Sequence, residues 1–315
     1  RTMSDTLYAS ARDLATIPPS FDDVRAAAGR LKGLAIHTPL LESPALNDRL
    51  GGRILMKAET LQRTGSFKFR GAFNRISLIP EAERAGGVVA YSSGNHAQGV
   101  AAAAALLGLP AVIVMPADAP AMKVENTRGY GAEVVLYDRW TESREEIGAT
   151  IAEERRATLV RPYDDAGVIA GQGTCGLEIV QQAAARDTTL DALLVCCGGG
   201  GLTAGCALAL EALSPRTALY TVEPQDYDDH RRSLEAGRPL PNGDAAASIC
   251  DALLAPQPGT LTFAVNGPRA AGGLAVTDEE VKAAMRFAFR TLKLVVEPGG
   301  AVCLAAVLAG KIDVA

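Results

Sequence analysis

One lysine of the chain stands in surroundings that suit a reactive amine. Lys68 lies between Phe67 and Phe69, close behind Gly65 and Ser66. Apolar surroundings lower the pKa of an amine and make it a usable nucleophile toward an aldehyde. A lysine whose apolar stem lies beside surface aromatic rings is the structural alternative. This segment alone leaves both interpretations open.

Four consecutive glycines, Gly198, Gly199, Gly200 and Gly201, lie between a predicted strand and a predicted helix. Glycines let the backbone approach an anion closely, and the N-terminus of a helix adds unpaired N–H groups and a favourable dipole. A tight turn without a ligand does not need four glycines, so the loop favours phosphate binding. No Lys-Ser or Lys-Thr pair follows, which excludes an NTP-binding P-loop.

The same loop also fits a second pattern. Gly199-x-Gly201-x-x-Ala204 satisfies the dinucleotide fingerprint, and Glu223 follows about 20 residues later, where a ribose-binding carboxylate is expected. A nicotinamide-dependent dehydrogenase is therefore a rival hypothesis. It leaves the environment of Lys68 unexplained.

A third polar segment, Ser92-Ser93-Gly94-Asn95-His96, follows a predicted strand and opens a predicted helix. A serine can cap that helix, and the early N–H groups can bind a carboxylate. Capping accounts for the serines. It does not account for Asn95 and His96, which add hydrogen-bonding groups at the same strand end.

The elements that must position these residues alternate between strands and helices. Short runs rich in Val, Leu and Ile predict strands, and alanine-rich segments between them predict helices, so the pattern predicts an α/β fold with parallel sheets. Ligands of such folds bind at the carboxyl ends of strands, where the glycine and serine segments lie. The predicted strands are 87–91, 111–115, 133–137, 158–161, 191–197 and 218–223. The predicted helices are 95–107, 121–130, 142–155, 173–185, 202–213 and one that opens at the capping-box pattern of 277–280. The segment 237–244 predicts a surface loop.

Length and composition exclude several classes of protein. The 315 residues suggest two domains, and the formal charge of −5 without a basic block argues against a nucleic-acid binder. No apolar run reaches the roughly 18 to 20 residues that span a bilayer. No secretory signal is recognisable, and six cysteines without paired metal-ligand spacing indicate free thiols of a cytoplasmic protein.

Taken together, the three segments resemble the signature motifs of fold-type II pyridoxal-phosphate (PLP) enzymes. The resemblance is to the threonine/serine dehydratases, 3-hydroxyaspartate dehydratases and serine racemases, and it runs from Thr38 to Pro298. It implies a two-lobed, tryptophan-synthase-β-like architecture with PLP in the cleft. The large PLP-binding domain would comprise residues 1–86 and 161–315 and the small domain residues 87–160, in a homodimer. The motifs are Ser66-Phe67-Lys68-Phe69-Arg70-Gly71-Ala72, Ser92-Ser93-Gly94-Asn95-His96 and Gly198-Gly199-Gly200-Gly201.

The resemblance implies how the cofactor is held. Lys68 resembles the lysine that holds PLP as a Schiff base, and Phe67 resembles the residue that packs against the cofactor ring. Asn95 resembles the partner of the phenolic oxygen, and the four glycines resemble the phosphate cradle. In this family a Ser-Gly-Gly-Asn-like strand contacts the pyridine nitrogen. The sequence to Ala315 contains no such motif, so no residue is assigned to that nitrogen.

The resemblance also implies substrate contacts. Ser92, Ser93, Gly94 and His96 resemble the clamp for the substrate's α-carboxylate, and Ser93 resembles the hydroxyl that reprotonates Cα in racemases. Arg144 stands in a motif from which an arginine of related racemases reaches the cleft. A guanidinium suits a second carboxylate, as in 3-hydroxyaspartate. A solvated arginine paired with a nearby glutamate is the alternative.

A divalent-cation site is implied as well. In the segment 223–229, Glu223 and Asp229 resemble carboxylate ligands, and Tyr227 resembles a ligand through its carbonyl. Hard oxygen ligands suit Mg²⁺ or Ca²⁺. An ordinary acidic helix start is the alternative.

The activity implied is β-elimination. Lys68 would take the Cα proton, the β-hydroxyl would leave, and 3-hydroxyaspartate, serine or threonine would yield a 2-keto acid and ammonia. A racemase on the same scaffold is the alternative. Tyr163 stands where serine racemases tend to carry an asparagine, which favours the dehydratase.

Overall fold

A computed structural model describes residues 17–92, 94–243 and 247–314 of the chain. Strands and helices alternate along most of these residues. The strands are β1 Leu40–Glu42, β2 Leu55–Lys57, β3 Val88–Tyr91, β4 Ala111–Pro116, β5 Glu133–Tyr137, β6 Thr158–Leu159, β7 Ala192–Cys196, β8 Ala218–Pro224 and β9 Ala270–Val276. The helices are α1 Phe21–Leu31, α2 Pro44–Leu50, α3 Lys68–Ser77, α4 Asn95–Leu107, α5 Ala121–Gly129, α6 Arg144–Arg155, α7 Ala166–Ala184, α8 Gly201–Leu213, α9 Asp229–Ala236, α10 Thr260–Asn266, α11 Asp278–Phe287 and α12 Pro298–Leu308. Short 3₁₀ turns span Glu59–Leu61, Arg63–Gly65, Glu81–Gly86 and Asp251–Leu253, and a π-helical turn spans Ala288–Leu292.

The chain divides into two compact units. The first unit comprises the chain up to Ile36 together with Gln62–Gln172, and the second comprises His37–Leu61 together with the chain from Gly173 onward. The small domain predicted for residues 87–160 lies entirely within the first unit. The predicted division into residues 1–86 with 161–315 and residues 87–160 stays a prediction.

The first unit is built on a parallel four-stranded sheet in the order β5-β4-β3-β6. Val88 of β3 pairs with Ala111 of β4 on one side and with Thr158 of β6 on the other. All six residues of β4 are buried, as expected for a strand covered on both faces. Alanines of α4 pack with this sheet and with Phe69 and Phe73 of α3 in one hydrophobic core.

Three glycines let helices of the first unit approach each other closely. A Cβ atom built on Gly99 of α4 would lie 3.1 Å from the carbonyl carbon of Lys68. A Cβ on Gly71 of α3 would lie 2.4 Å from Nε2 of Gln172, and one on Gly171 of α7 would lie 2.5 Å from the carbonyl oxygen of Arg70. A Cβ at Gly71 or Gly171 would force its neighbours to move, and a Cβ at Gly99 would require the backbone at Lys68 to shift by a few tenths of an ångström. Glycine at these positions therefore allows the close packing of α3 against α4 and α7.

The second unit contains a parallel three-stranded sheet in the order β7-β8-β9 and the antiparallel pair β1-β2. An irregularity between Leu219 and Tyr220 shifts the pairing of β8 with β9. Buried residues of β8, β9, α11 and α12 form a second hydrophobic core that includes Val222, Val276 and Val302.

The predicted α/β fold with parallel sheets is confirmed, and most predicted elements appear with small shifts at their ends. Thr277 caps α11 by accepting the N–H of Glu280, whose carboxylate accepts the N–H of Thr277 at 2.8 Å. Two predicted elements differ most from the structure, since the strand predicted to reach residue 161 ends at Leu159 and α7 begins seven residues before residue 173. The elements α1, α2, α3, α10, α12, β1, β2 and β9 have no counterpart among the predicted ones. Glycine accounts for the start of α7 and for β9, because Gly167 and Gly171 weaken the helix pattern and Gly272 and Gly273 weaken the strand pattern.

Three further expectations concern a surface loop, the cysteines and membrane-spanning helices. Residues 237–243 form no helix or strand after the end of α9, as predicted, while Asp244 lies outside the described residues. All six cysteines are free. Across the described ranges, no helix is long and apolar enough to cross a membrane.

Candidate functional site

Lys68 is the first residue of α3 in the first unit. The preceding backbone is extended at Ser66, and a 3₁₀ turn before it contains Thr64 at a φ of 66°. The half-buried Lys68 ammonium donates a hydrogen bond of 2.8 Å to the carbonyl oxygen of Pro162 and lies 5.4 Å from the centre of the Phe67 ring. The amine of Lys68 is therefore partly shielded from solvent, and its hydrogen bond to the Pro162 carbonyl oxygen fixes its orientation.

Two hydroxyls close to this lysine along the chain have no hydrogen-bond partner among the residues that the structure describes. The Oγ1 atom of Thr64 and the Oγ atom of Ser66 are buried and make no hydrogen bond within the part of the chain that the structure describes. Native structures rarely leave buried polar atoms unpaired. These atoms mark the neighbourhood of Lys68 as a place for a polar ligand.

The serine segment enters α4 without a side-chain cap. Gly94 is the N-cap residue and offers no side chain, and the Ser92 hydroxyl accepts the Gly94 N–H at 3.2 Å. Ser92 therefore does not cap α4, because its hydroxyl accepts the N–H of Gly94, the N-cap residue, and not an N–H of the first helical turn. The alternative, capping by Ser93, stays a prediction. Ser93 lies outside the described residues, and Asn95 is the half-buried first residue of α4.

His96 is buried behind Asn95 and stays uncharged. Its Nε2 atom lies 2.9 Å from the carbonyl oxygen of Val160, so that nitrogen carries the ring proton. Burial, and then the charge of Lys68, lower the pKa of His96 to about 3. Its other ring nitrogen, Nδ1, is buried and has no hydrogen-bond partner in the described ranges. His96 thus presents a lone pair and no positive charge.

Arg144 is the first residue of α6, also in the first unit. Its Nε atom donates to the carboxylate of Glu145 at 2.8 Å, and its guanidinium lies 5.5 Å from the centre of the Tyr91 ring. Arg144 lines a cavity of about 50 Å³ together with Ser92, Tyr137, Arg139, Val114 and Pro116. The structure thus brings two predicted substrate residues, Ser92 and Arg144, to one small pocket.

The glycine loop lies in the second unit, between β7 and α8. Gly200 has a φ of 91°, and a Cβ atom built there would lie 2.4 Å from Nε2 of His230 and 2.9 Å from Nδ2 of Asn266. A Cβ on Gly198 would lie 3.2 Å from the Cα atom of Leu253. Glycine is therefore required at Gly200 both by its backbone conformation and by its neighbours.

Side chains of α10 orient the peptide planes of this loop. Thr262 Oγ1 donates to the carbonyl oxygen of Gly199 at 2.7 Å, and Asn266 Nδ2 donates to the carbonyl oxygen of Gly200 at 3.2 Å. Because a trans peptide places N–H and C=O on opposite sides, the N–H groups of Gly200 and Gly201 point away from α10. No side-chain cap occupies the first N–H groups of α8, where the helix dipole favours an anion.

The predicted cation ligands lie at the end of β8 and the start of α9. Glu223 and Asp229 are fully buried, and Tyr227 is half-buried in the turn between them. Burial, followed by the neighbouring charge of Asp229, raises the pKa of Glu223 well above its usual range. One carboxylate oxygen of Asp229 accepts from Asn242 at 2.8 Å, and the other has no hydrogen-bond partner among the described residues.

The position of Glu223 argues against a dinucleotide site. Its two carboxylate oxygens accept the backbone N–H groups of His230 at 2.9 Å and Arg231 at 2.8 Å. A fully buried carboxylate that caps α9 is not available to a ribose hydroxyl. The dehydrogenase hypothesis therefore loses the residue on which it depended.

Five groups that shape these sites were not predicted from the sequence. They are the carbonyl oxygens of Val160 and Pro162, the side chains of Thr262 and Asn266 that orient the loop, and His230. Backbone acceptors carry no signature in the residue type. His230 had a weak signal, since it directly follows the acidic pair Asp228 and Asp229.

Comparison with known proteins identifies the family to which the chain is similar. The family model described as pyridoxal-phosphate-dependent enzyme matches residues 31–314. An L-threo-3-hydroxyaspartate ammonia-lyase of Pseudomonas sp is 50% identical over 287 residues, which cover 91% of this chain and 88% of the relative. A serine racemase of Schizosaccharomyces pombe is 41% identical over 93% of this chain and 89% of its own length. The crystal structure of a threonine deaminase matches with a TM-score of 0.88 at 46% identity, covering 93% of this chain and 94% of that one. The chain belongs to the family of pyridoxal-phosphate-dependent enzymes.

Proposed function

We propose that this protein is a PLP-dependent ammonia-lyase that acts on a small β-hydroxy amino acid. The net reaction converts 3-hydroxyaspartate, serine or threonine into a 2-keto acid and ammonia, since the water eliminated first is taken up again in the final hydrolysis. The observation that carries this proposal is the half-buried amine of Lys68, held at 2.8 Å by the Pro162 carbonyl close to two buried hydroxyls that have no hydrogen-bond partner in the described part of the chain. Relatives with this activity in their names support it.

The residues present fit the cofactor. Lys68 would bind its aldehyde carbon, Phe67 would pack against the ring, and Asn95 would contact the phenolic oxygen. The N–H groups of Gly198 to Gly201 would hold its phosphate, and the requirement for glycine at Gly200 supports that assignment. When bound, PLP supplies an electron sink for the negative charge that develops at the substrate's Cα atom.

Lys68 is the proposed base. The Pro162 carbonyl orients its amine, and the neutral His96 supplies no competing proton. The Nζ atom of Lys68 takes the proton from Cα. His96, with a pKa of about 3, stays neutral and does not compete as a proton donor at neutral pH. The α-carboxylate is therefore held by N–H groups at the start of α4 and by the hydroxyls of Ser92 and Ser93.

Among the three substrates, we favour 3-hydroxyaspartate. Arg144 and Ser92 line one pocket, so a substrate that presents one carboxylate to the serine segment can present a second to the guanidinium. Arginine binds carboxylates through a planar fork of donors. The relative that is 50% identical bears the name L-threo-3-hydroxyaspartate ammonia-lyase, which supports this choice.

Racemisation is the second candidate activity. A serine racemase is 41% identical to this chain, and Ser93 offers a hydroxyl in the segment that resembles the racemase motif. We expect Ser93→Ala to abolish racemisation of serine while substantial elimination remains, because Lys68 alone can remove the Cα proton. Equal loss of both reactions would assign Ser93 to carboxylate binding or to structure instead.

A divalent cation, Mg²⁺ or Ca²⁺, is proposed at Glu223, Asp229 and the Tyr227 carbonyl. Two buried carboxylates, one with an oxygen that no described residue hydrogen-bonds, fit a hard cation. The ion would stabilise its unit without taking part in the chemistry. Chelation should lower the unfolding temperature and activity together, and adding Mg²⁺ or Ca²⁺ should restore both. Indifference of both quantities to chelator would exclude the site.

A homodimer in the cytoplasm completes the proposal. Free thiols at all six cysteines support a reducing compartment. Light scattering during size-exclusion chromatography measures the mass of the assembly, and a monomer at micromolar concentration would contradict the dimer.

Spectra and turnover test the central proposal. The purified holoenzyme should show an absorbance band in the near-visible region that borohydride removes with loss of activity. Keto-acid and ammonia release should then be measured with serine, threonine and the 3-hydroxyaspartate stereoisomers. Absence of the band, or a band with no turnover of any of these substrates, would overturn the assignment.

A further inference from the structure

A second set of potential metal ligands surrounds Glu223. Cys197 ends the segment before the glycine loop, Glu223 lies at the end of β8, and His230 lies in the first turn of α9. One ligand atom from each of these side chains lies within 4.8 Å of the other two. Their exposed fractions are 2%, 0% and 0%. The group therefore combines a sulfur, an oxygen and a nitrogen in a fully buried place.

The imidazole of His230 is the least explained member of this group. Neither of its ring nitrogens has a hydrogen-bond partner within the described residues. Its Nδ1 atom lies 3.8 Å from Oε1 of Glu223 and 3.7 Å from Oδ2 of Asp229, which is too far for hydrogen bonds. Its Nε2 atom faces the Cα atom of Gly200, where a Cβ would lie only 2.4 Å away. The Nδ1 atom is therefore turned toward the carboxylates of Glu223 and Asp229.

The 3.8 Å between Nδ1 of His230 and Oε1 of Glu223 is close to the separation of two ligands that share one ion, and a ligand atom of Cys197 lies within 4.8 Å of the group. Zinc binds nitrogen and oxygen at about 2.0–2.2 Å and sulfur at about 2.3 Å, so tetrahedral ligand atoms lie roughly 3.3–3.6 Å apart. A shift of a few tenths of an ångström would bring Nδ1 into this range. A buried nitrogen without a partner and a nearby carboxylate indicate a missing cation.

We propose that Cys197, Glu223 and His230 form a binding site for a transition-metal ion of the zinc type. Thiolate and imidazole ligands select such ions, whereas Mg²⁺ and Ca²⁺ prefer oxygen. The site differs from the proposed magnesium or calcium site by its sulfur and nitrogen ligands, and it shares Glu223 with that site. The two ions therefore exclude each other. Binding converts the Cys197 thiol to a thiolate and releases its proton to solvent.

The first test uses Co²⁺ as a spectroscopic probe of the unmodified holoenzyme. The protein is dialysed against a chelator and then titrated with Co²⁺, with the cofactor spectrum subtracted and bound metal measured by atomic emission. A thiolate-to-cobalt charge-transfer band should rise to saturation at about one ion per chain and should disappear on adding Zn²⁺. Saturation without a sulfur band, or no bound cobalt, would overturn the proposal.

Matched variants identify the ligands. Cys197→Ser should abolish the sulfur band and weaken Zn²⁺ binding by more than the roughly 10- to 100-fold that loss of an outer partner of a ligand causes. His230→Asn should weaken it to a similar extent. Cys250→Ser, at an equally buried cysteine in the second hydrophobic core, should leave band and affinity unchanged. A band that survives Cys197→Ser would contradict the assignment.

Binding of Mg²⁺ separates this inference from the proposed function. The Mg²⁺ affinity of Cys197→Ser should stay within about twofold of the unmodified protein, because oxygen ligands alone hold that ion. An equal fall in Zn²⁺ and Mg²⁺ affinity would show general damage and would overturn the sulfur-ligated site. If Cys197→Ser fails to fold, the cobalt spectrum of the unmodified protein still decides. Neither experiment depends on turnover, so failure of the elimination proposal would be seen separately.

Discussion

At the scale of single residues, Lys68 offers the most direct test. Lys68→Ala should reduce turnover below detection and leave the unfolding temperature nearly unchanged, because the half-buried side chain is lost but the packing of α3 on α4 remains. Steady-state assays and thermal unfolding measure the two effects. Lys32→Ala, at an exposed lysine of the same unit, is the control and should retain full activity. Full β-elimination by Lys68→Ala would end the assignment of Lys68 as the base.

Arg144 decides the choice of substrate. Arg144→Ala should lower the ratio of kcat/KM for 3-hydroxyaspartate to that for serine by about 10- to 150-fold, the equivalent of roughly 1.5–3 kcal/mol for one charged hydrogen-bonded contact. Arg155→Ala removes an arginine from the other end of the same helix and should leave the ratio unchanged. A wild-type preference for serine or threonine, or an unchanged ratio in Arg144→Ala, would leave a general serine/threonine dehydratase.

Residue types with a strong local signature could be found from the sequence. Lys68 between two aromatics and four consecutive glycines are such signatures. The groups that orient them could not, because Pro162 is 94 residues from Lys68 along the chain and Asn266 is 66 residues from Gly200. The use of Ser92 as a local turn acceptor instead of a helix cap depends on backbone angles at Gly94, which its residue type leaves open.

At the scale of elements, a substitution at the start of α8 tests the proposed role of the glycine loop in PLP binding. Gly200→Ala should weaken PLP binding by at least tenfold, because its methyl group would displace His230 and Asn266 and turn the loop N–H groups. Fluorescence titration of the cofactor-free protein with PLP measures this affinity.

Gly237 provides a matched control for backbone strain. It has a φ of 68°, and a Cβ built there would meet no atom within 4 Å. Gly237→Ala should therefore cost about 1 kcal/mol of stability from the left-handed conformation alone and leave PLP affinity unchanged. Equal PLP affinities for the two variants would contradict the role of Gly200.

The alternating apolar runs of the sequence predicted the order of most strands and helices. They predicted the first and last residues of these elements less accurately. The α4 helix appears with the predicted bounds because its alanine run is bordered by Gly94 and Gly108. By contrast, α3 begins at Lys68 itself, and its first turn holds no capping side chain that could have marked it. The glycines of α7 and β9 allow close packing of neighbouring residues. In the sequence, however, they indicate the end of a helix or strand.

At the scale of the whole molecule, His96 links stability to pH. Its pKa is 6.5 in an exposed state and about 3 in the fold, so the folded state binds fewer protons between these values. Stability is therefore fully present above pH 6.5 and is lost as pH falls toward 3. Between pH 7 and 5 the loss should amount to about 2 kcal/mol.

Denaturant unfolding of wild type and His96→Gln at both pH values measures this contribution. The variant should lose about 2 kcal/mol less than wild type over this interval. His37→Gln, at an exposed histidine, should behave like wild type. An identical pH dependence in wild type and His96→Gln would show that another group titrates.

The α/β class and the family could be inferred from the sequence because three motifs occur in order along most of the chain. The grouping of the chain into units could not. The stretch 37–61 belongs to the second unit although it precedes Lys68, and only tertiary packing reveals this. The fully buried His230 likewise shows its importance only when β8, α9 and the glycine loop are assembled.

The close approach of α3 to α4 and α7 has a consequence for how this enzyme can evolve. Gly71, Gly99 and Gly171 supply no side chain to the proposed chemistry, yet each packs against backbone or a buried amide. A saturation-mutagenesis map should therefore show these three helix positions to be intolerant of larger side chains. New substrate preferences would arise in lineages through the loops and the first turn of α6, while these three glycines stay invariant.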